Sequence, residues 1–228
     1  MGVIIKMLQW LFLPWLNRKF KGLAAAYSKE QSKPHFEVER KYPVSQEEFH
    51  ELPGRLRDLG FTKKSRATIV DTFLPAEKEG DMVRLREETV DGLTVTVITL
   101  KEWVEVGGER ERKERESDPI DSVTKDTLMA LGRRLATEPL MSFSKDRTTF
   151  SGRRDKRSVT VALDVASGLG DYSGNYLEVE LIVERQEDVA EARAFVESFV
   201  NELLETHREC AISYMEMLKR SRKSSSKS

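Results

Sequence analysis

Apolar and polar residues alternate along most of the middle of the chain. Residues 35–42, HFEVERKY, set Phe36 and Val38 on one side and Glu37, Glu39 and Lys41 on the other, the period-two pattern of a strand. Further strands are expected over 69–74, 82–87, 93–103, 142–150, 159–165 and 176–184, and a charged strand over 109–116 after the Gly107-Gly108 turn. Elsewhere the period lengthens to that of a helix. Ser45-Gln46-Glu47-Glu48 reads as a capping box opening a helix to about Leu59, where Gly60 stops it. Val123, Leu128, Leu131 and Leu135 predict a helix over 122–135. Val189, Ala192, Phe195, Val196, Phe199, Val200, Leu203 and Leu204 predict the most amphipathic helix, with a shorter one following near 214–218.

Eight strands and three to four helices, mostly with short connections, make the expected class α+β. Strands joined by hairpins, such as the pair around Asp91-Gly92, should pair antiparallel. There is no regular βαβ alternation and no glycine-rich phosphate loop, which argues against a doubly wound nucleotide fold.

Charge changes this picture more than composition does. The 228 residues sum to −1, yet residues 1–29 hold five bases and no acid, and 219–228 hold five more bases and no acid. The intervening body, 30–218, is therefore at −11. An acidic body argues against nucleic acid as a partner, while local clusters of charge leave room for a small polyanion. A single cysteine, Cys210, excludes an intramolecular disulfide and favours a reducing, cytoplasmic setting. His35, His50 and His207 show no zinc-type spacing, so any metal should be a hard cation on oxygen ligands: Mg²⁺, Mn²⁺ or Ca²⁺.

Three regions are expected: a leader or anchor over 1–33, a folded body over 34–218, and a disordered Ser/Lys-rich tail over 219–228. Eleven of the fourteen residues in 3–16, VIIKMLQWLFLPWL, are apolar, too few to span a bilayer. Peripheral contact with a membrane surface, organelle targeting, a secretory signal and packing on the body or a partner all stay open for this segment. The basic cluster after the apolar run is the wrong way round for a secretory signal.

Within the strands, charge is segregated. Glu37 and Glu39, Glu114 and Glu116, and Glu178 and Glu180 form acidic pairs, whereas Arg84 and Arg86, and Lys145 and Arg147, form basic ones. One solvated sheet face explains alternating charge strand by strand, but such faces usually mix Lys, Glu, Ser, Thr and Gln. Several of the bases are arginine, whose planar fork suits phosphate. A sheet closed with these faces inward would line a tunnel with acids and bases.

The ordered series Glu37-Val38-Glu39-Arg40-Lys41, Asp71-Thr72-Phe73, Arg84-x-Arg86, Thr99-Leu100-Lys101, Arg112 to Glu116, Lys145-x-Arg147, Asp164, Gly168-Leu169-Gly170, Glu178-x-Glu180 and Ser213-Tyr214 resembles the CYTH superfamily of triphosphate tunnel metalloenzymes. Its members include thiamine triphosphatases, inorganic tripolyphosphatases and class IV adenylyl cyclases. The resemblance implies an eight-stranded antiparallel β-barrel, a tunnel with helices packed outside. It implies metal ligands at Glu37, Glu39, Asp164, Glu178 and Glu180, with Glu114 and Glu116 positioning a second metal or a water. It implies a triphosphate cradle of Lys41, Arg84, Arg86, Lys101, Lys145 and Arg147. Glu37, Glu39, Lys41, Lys101 and Arg147 would carry the catalysis. Phe73 replaces a tyrosine common in the family, and Ile212 replaces a common base.

The implied function is Mg²⁺- or Mn²⁺-dependent hydrolysis of a small triphosphate, inorganic tripolyphosphate or an organic one such as thiamine triphosphate, with release of orthophosphate. Two alternatives are a cyclase forming cyclic AMP from ATP and a non-catalytic polyphosphate-binding module. Trp103 shares the face of Lys101, and two readings stay open for it: stacking on a thiamine ring or a base, or packing on the helices at the rim.

Overall fold

The alternation of apolar and charged residues is the pattern of a sheet with two unlike faces, and the computed structural model shows that sheet curled on itself. Residues 36–76, 81–106 and 109–225 are described, without the side chains of 103–106, 109–113 and 225. The leader 1–33, His35, the end of the tail and the side chain of Trp103 lie outside the described residues.

The strands are β1 (Phe36–Pro43), β2 (Thr62–Leu74), β3 (Met82–Val90), β4 (Leu93–Val106), β5 (Glu109–Glu116), β6 (Met141–Arg154), β7 (Arg157–Ser167) and β8 (Gly174–Val183). They are antiparallel in the order β1-β5-β4-β3-β2-β6-β7-β8. The ring closes thinly: β1 meets β5 through a single register pair, Phe36 opposite Lys113. Two of the hairpins turn on residues with positive φ, Asp91-Gly92 and Asp155-Lys156, as two-residue turns between twisted strands require.

The helices are α1 (Gln46–Asp58), α2 (Ser122–Leu135), α3 (Val189–Leu203) and α4 (Tyr214–Ser225). Ser45 caps α1 in the predicted capping box, and Gly60 leaves it at φ 83°. The main core lies outside the barrel. Val38 and Tyr42 of β1, Val161 and Leu163 of β7, and Leu177, Val179 and Leu181 of β8 face outward against Leu52 and Leu56 of α1 and Val196, Phe199 and Val200 of α3. Burying one face in this way fixes the register, because a one-residue slip would expose every apolar side chain. The opposite face, with its charges, is then turned into the barrel.

A smaller core closes one end of the barrel. Phe73, Met82, Phe143, Leu169 and Tyr176 meet Tyr214, Met217 and Leu218 of α4. The tail departs from expectation here, since 219–225, read as disordered, continue α4. No apolar periodicity marks these residues. They are held instead by Arg222, which donates to the carbonyls of Pro139 and Leu140 at 2.8 and 3.0 Å, and by Arg220, which pairs with Glu216. Strand β2 also begins seven residues before its predicted start. Thr62–Arg66 is polar and largely exposed, so its strand identity comes from pairing with β6 and not from patterning.

Leu177 is fully buried between β8 and the helices. Leu177→Ala should cost about 2–5 kcal/mol of unfolding free energy, measured by urea denaturation. A loss near zero would show that this layer is not the core.

Candidate active site

Residues directly opposite in an antiparallel pair share a face. The charged pairs that face the tunnel are mostly complementary. Asp71 stands opposite Arg86, Lys101 opposite Glu114, Arg147 opposite Asp164, and Lys41 opposite Glu178. At one described pair an acid meets an acid: Glu39 of β1 lies opposite Glu180 of β8. Like charges in that position repel, and Glu37 is two residues away on the same face.

The bases are held by fixed partners. The guanidinium of Arg86 donates two bonds to Asp71, at 2.8 and 2.9 Å, and Arg84 lies 3.6 Å from the same carboxylate. Burial works to raise the Asp71 carboxyl, but Arg86 and Arg84 outweigh it and hold the group well below the usual carboxylate range. Arg147 donates two bonds of 2.7 Å to Asp164 and also pairs with Glu178. Lys145 donates to Asp164 at 2.8 Å. Burial, reinforced by Arg147, pulls the Lys145 ammonium below its ordinary range. Lys101 lies 2.5 Å from Glu114 and 3.5 Å from Glu37, and these acids outweigh burial to raise it.

The acids on β1 and β8 are in a different state. Burial raises Glu180 well above an ordinary glutamate, and repulsion from Glu37 and Glu39 adds to it. Burial also raises Glu37, with Lys101 pulling the other way. This corner of the tunnel gathers three carboxyl groups, and its surroundings disfavour the ionised forms of Glu37 and Glu180.

An aromatic floor lies beneath the charges. The Lys41 ammonium sits 3.9 Å from the centroid of the Tyr214 ring and that of Lys145 at 5.0 Å, within cation–π range. The Tyr214 hydroxyl reaches Asp164 at 3.3 Å, and the ring packs on Phe143 and Tyr176. Burial and then Glu178 and Asp164 raise this phenol well above its normal value, so it stays protonated and donates.

One cavity of about 420 Å³ gathers these groups. Glu37, Glu39, Lys41, Arg84, Arg86, Lys101, Glu114, Lys145, Arg147, Glu178 and Glu180 all line it. Two predicted site residues do not. Asp164 is completely buried behind Lys145 and Arg147, and Glu116 accepts a bond from Thr99. Asp164 and Glu178, read from the sequence with the metal ligands, are engaged here by the cations of β6.

A model of the CYTH domain matches residues 35–213. The chain belongs to the CYTH family. No curated protein matches it in sequence. Solved structures of CYTH-like fold match closely in length. The PH1819 protein of Pyrococcus horikoshii OT3 is 22% identical, with 82% of this chain and 100% of that one covered and a TM-score of 0.63. A Vibrio parahaemolyticus protein described in terms of adenylate cyclase is 17% identical, with 82% and 99% covered and a TM-score of 0.59. HpAC1 of Hippeastrum, for which a dominant triphosphatase activity is stated, is 13% identical, with 82% and 95% covered and a TM-score of 0.56. At these identities the likeness shows the fold.

The oxygen-only donor set of this CYTH tunnel suits a hard divalent cation. Among the described residues no three His, Cys, Asp or Glu side chains already stand together as a ready cage. The excess of carboxylate at Glu37, Glu39 and Glu180 is nevertheless what a cation would relieve.

Sequence patterning gave no role to Asp71 or Tyr214, although both fell inside matched motifs. The available signals were an acid interrupting the Val70 to Leu74 run, opposite an arginine strand, and a tyrosine opening an otherwise basic helix. The buried Asp71 yields a prediction. Its depressed carboxyl contributes stability that is fully present above the unfolded value of about 4 and is lost as pH falls below it. Asp71→Asn should cost about 3 kcal/mol at pH 7, and the gap from the unsubstituted protein should narrow as pH is lowered through 4. Urea titrations at several pH values would show it; a constant gap would mean that Asp71 is not held ionised.

Proposed function

We propose that this chain hydrolyses a small triphosphate, most simply inorganic tripolyphosphate, with the help of Mg²⁺ or Mn²⁺. The observation that carries the reading is the division of one cavity into a cradle of six bases and a corner of clustered carboxylates. A triphosphate brings about four negative charges, and phosphoryl transfer is catalysed chiefly by positioning and neutralisation. Triphosphatases of the family are generally metal-dependent, which agrees with the acid corner.

Glu37, Glu39 and Glu180 are the residues that would hold the cation. When bound, the cation would neutralise phosphate oxygens and polarise the reacting phosphorus. Arg84, Arg86 and Arg147 present guanidinium forks to the phosphates. Asp71 and Asp164 orient those forks from behind, so little reorganisation is needed as substrate arrives. Lys101 and Lys145 add point charges, and Lys41 adds another from β1, the strand of Glu37 and Glu39. The floor of Phe73, Phe143 and Tyr214 closes one end of the cavity to bulk water. In the reaction a P–O–P bond breaks as a water oxygen bonds to the terminal phosphorus, and the water proton leaves to a neighbouring base.

The test is to incubate purified protein with tripolyphosphate, thiamine triphosphate and ATP, with Mg²⁺ or Mn²⁺, and to identify the products. Orthophosphate release is expected; cyclic AMP from ATP would replace this reading with a cyclase, and tight binding without turnover would replace it with a binding module. Glu39→Gln should abolish metal-dependent turnover while leaving the fold intact by circular dichroism. Arg84→Ala should raise KM and also lower kcat, because a cradle arginine serves both ground and transition states; unchanged saturation curves would remove Arg84 from the cradle.

A further inference from the structure

Helix α2 is bound to the barrel along a narrow line. Gly132 is its one buried residue, packed so that an added Cβ would lie 2.7 Å from the Leu74 side chain. On its outer side Val123, Thr127, Leu131 and Leu135 recur every four residues and form one row. Val123 is 73% exposed, Leu131 49% and Leu135 73%. Thr127 donates its hydroxyl to the Val123 carbonyl at 2.8 Å, so the row offers no free polar group there. Single exposed leucines are ordinary, but three exposed apolar residues in one row, interrupted by Thr127 alone, are not.

Bases surround the C-terminal end of this row. Arg133 and Arg134 occupy the last turn of α2 and are exposed. The bonds from Arg222 to the carbonyls of Pro139 and Leu140 fasten the basic end of α4 just beyond α2. That brings Lys219, Arg220, Arg222 and Lys223 to the same end of the molecule. One acid, Glu138, lies in the connection. The apolar row on α2 therefore ends in a basic collar, built largely from the basic segment that follows the acidic 30–218.

We infer that the α2 row and the basic end of α4 form a docking surface for an anionic membrane. Charge selects this occupant. The apolar segment 3–16 carries only basic residues around it, and a second copy would bring the same collar, so both would meet like charge. An anionic lipid surface complements the collar and accepts the leucines between its headgroups. Leucines would contribute little to a nucleic-acid contact. With a screening length of about 10 Å at 0.1 M salt, the collar acts on anionic headgroups at close range. No helix among the described residues is long and apolar enough to span a bilayer, so the contact is peripheral. Peripheral attachment normally needs two signals, and the segment 3–16 and this surface would supply one each.

The experiment uses the full chain in vesicle co-sedimentation. One set of vesicles is phosphatidylcholine alone, and the other holds about 30% phosphatidylserine. The unsubstituted protein should sediment with the anionic vesicles, about tenfold more weakly with neutral ones, and release as salt rises. The double variant Leu131→Glu with Leu135→Glu, whose exposed sites should leave the melting temperature unchanged, should lose about tenfold in affinity. Binding by that variant equal to the unsubstituted protein would overturn the surface and leave the N-terminal segment as sole anchor. Equal binding to neutral vesicles would overturn the role of the collar. No vesicle binding, with the variant instead abolishing self-association or binding to RNA, would assign the row to a second copy or to nucleic acid.

Discussion

Glu39 and Glu180 face each other across adjacent strands inside a barrel, and the rest of the tunnel is arranged around that repulsion. A folded protein can avoid such a pair at the cost of one substitution. Here it is kept, with Glu37 beside it and burial raising both Glu37 and Glu180. Repulsion of this kind stores a preference for a cation. The opposite wall stores the complementary preference, because its arginines and lysines outnumber the acids that orient them.

The two preferences are kept apart by the fold. Outward-facing apolar residues of β1, β7 and β8 are committed to α1 and α3, which fixes the inward direction of every charged residue on those strands. Asp71 and Asp164 are almost wholly buried; Asp71 reaches the cavity wall, and Asp164 lies behind it. They act on the guanidinium groups in front of them. Tyr214 joins the two systems: its ring lies under Lys41 and Lys145, and its hydroxyl reaches Asp164. Helix α4 therefore does more than close one end of the barrel. It sets the position of the lysines nearest that end.

Much of this was readable in the sequence where patterning and charge coincide. Glu37, Glu39, Arg84, Arg86, Glu178 and Glu180 alternate with apolar residues, so their common face follows from the period of a strand; Lys145 and Arg147 share a face by the same two-residue spacing. What was not readable were relations between strands. Whether Arg147 meets Asp164 or a ligand depends on register, which no single strand encodes. The same limit hid the pairing of Asp164 and Glu178 with the cations of β6. The first residues of β2 and the last turns of α4 escaped for a different reason. Their sequences are polar throughout, and neighbours on β6 and in the 139–140 connection give them their structure.

The central claim is that the acid corner takes a cation and the basic wall takes phosphate. A crystal structure of the protein with Mn²⁺ and tripolyphosphate, read by anomalous scattering, tests it most directly. The account predicts a manganese peak among Glu37, Glu39 and Glu180, phosphate against Arg84, Arg86 and Arg147, and Asp164 still bonded to Lys145. Manganese on Asp164 with Arg147 displaced, or a tunnel holding neither ion, would contradict it.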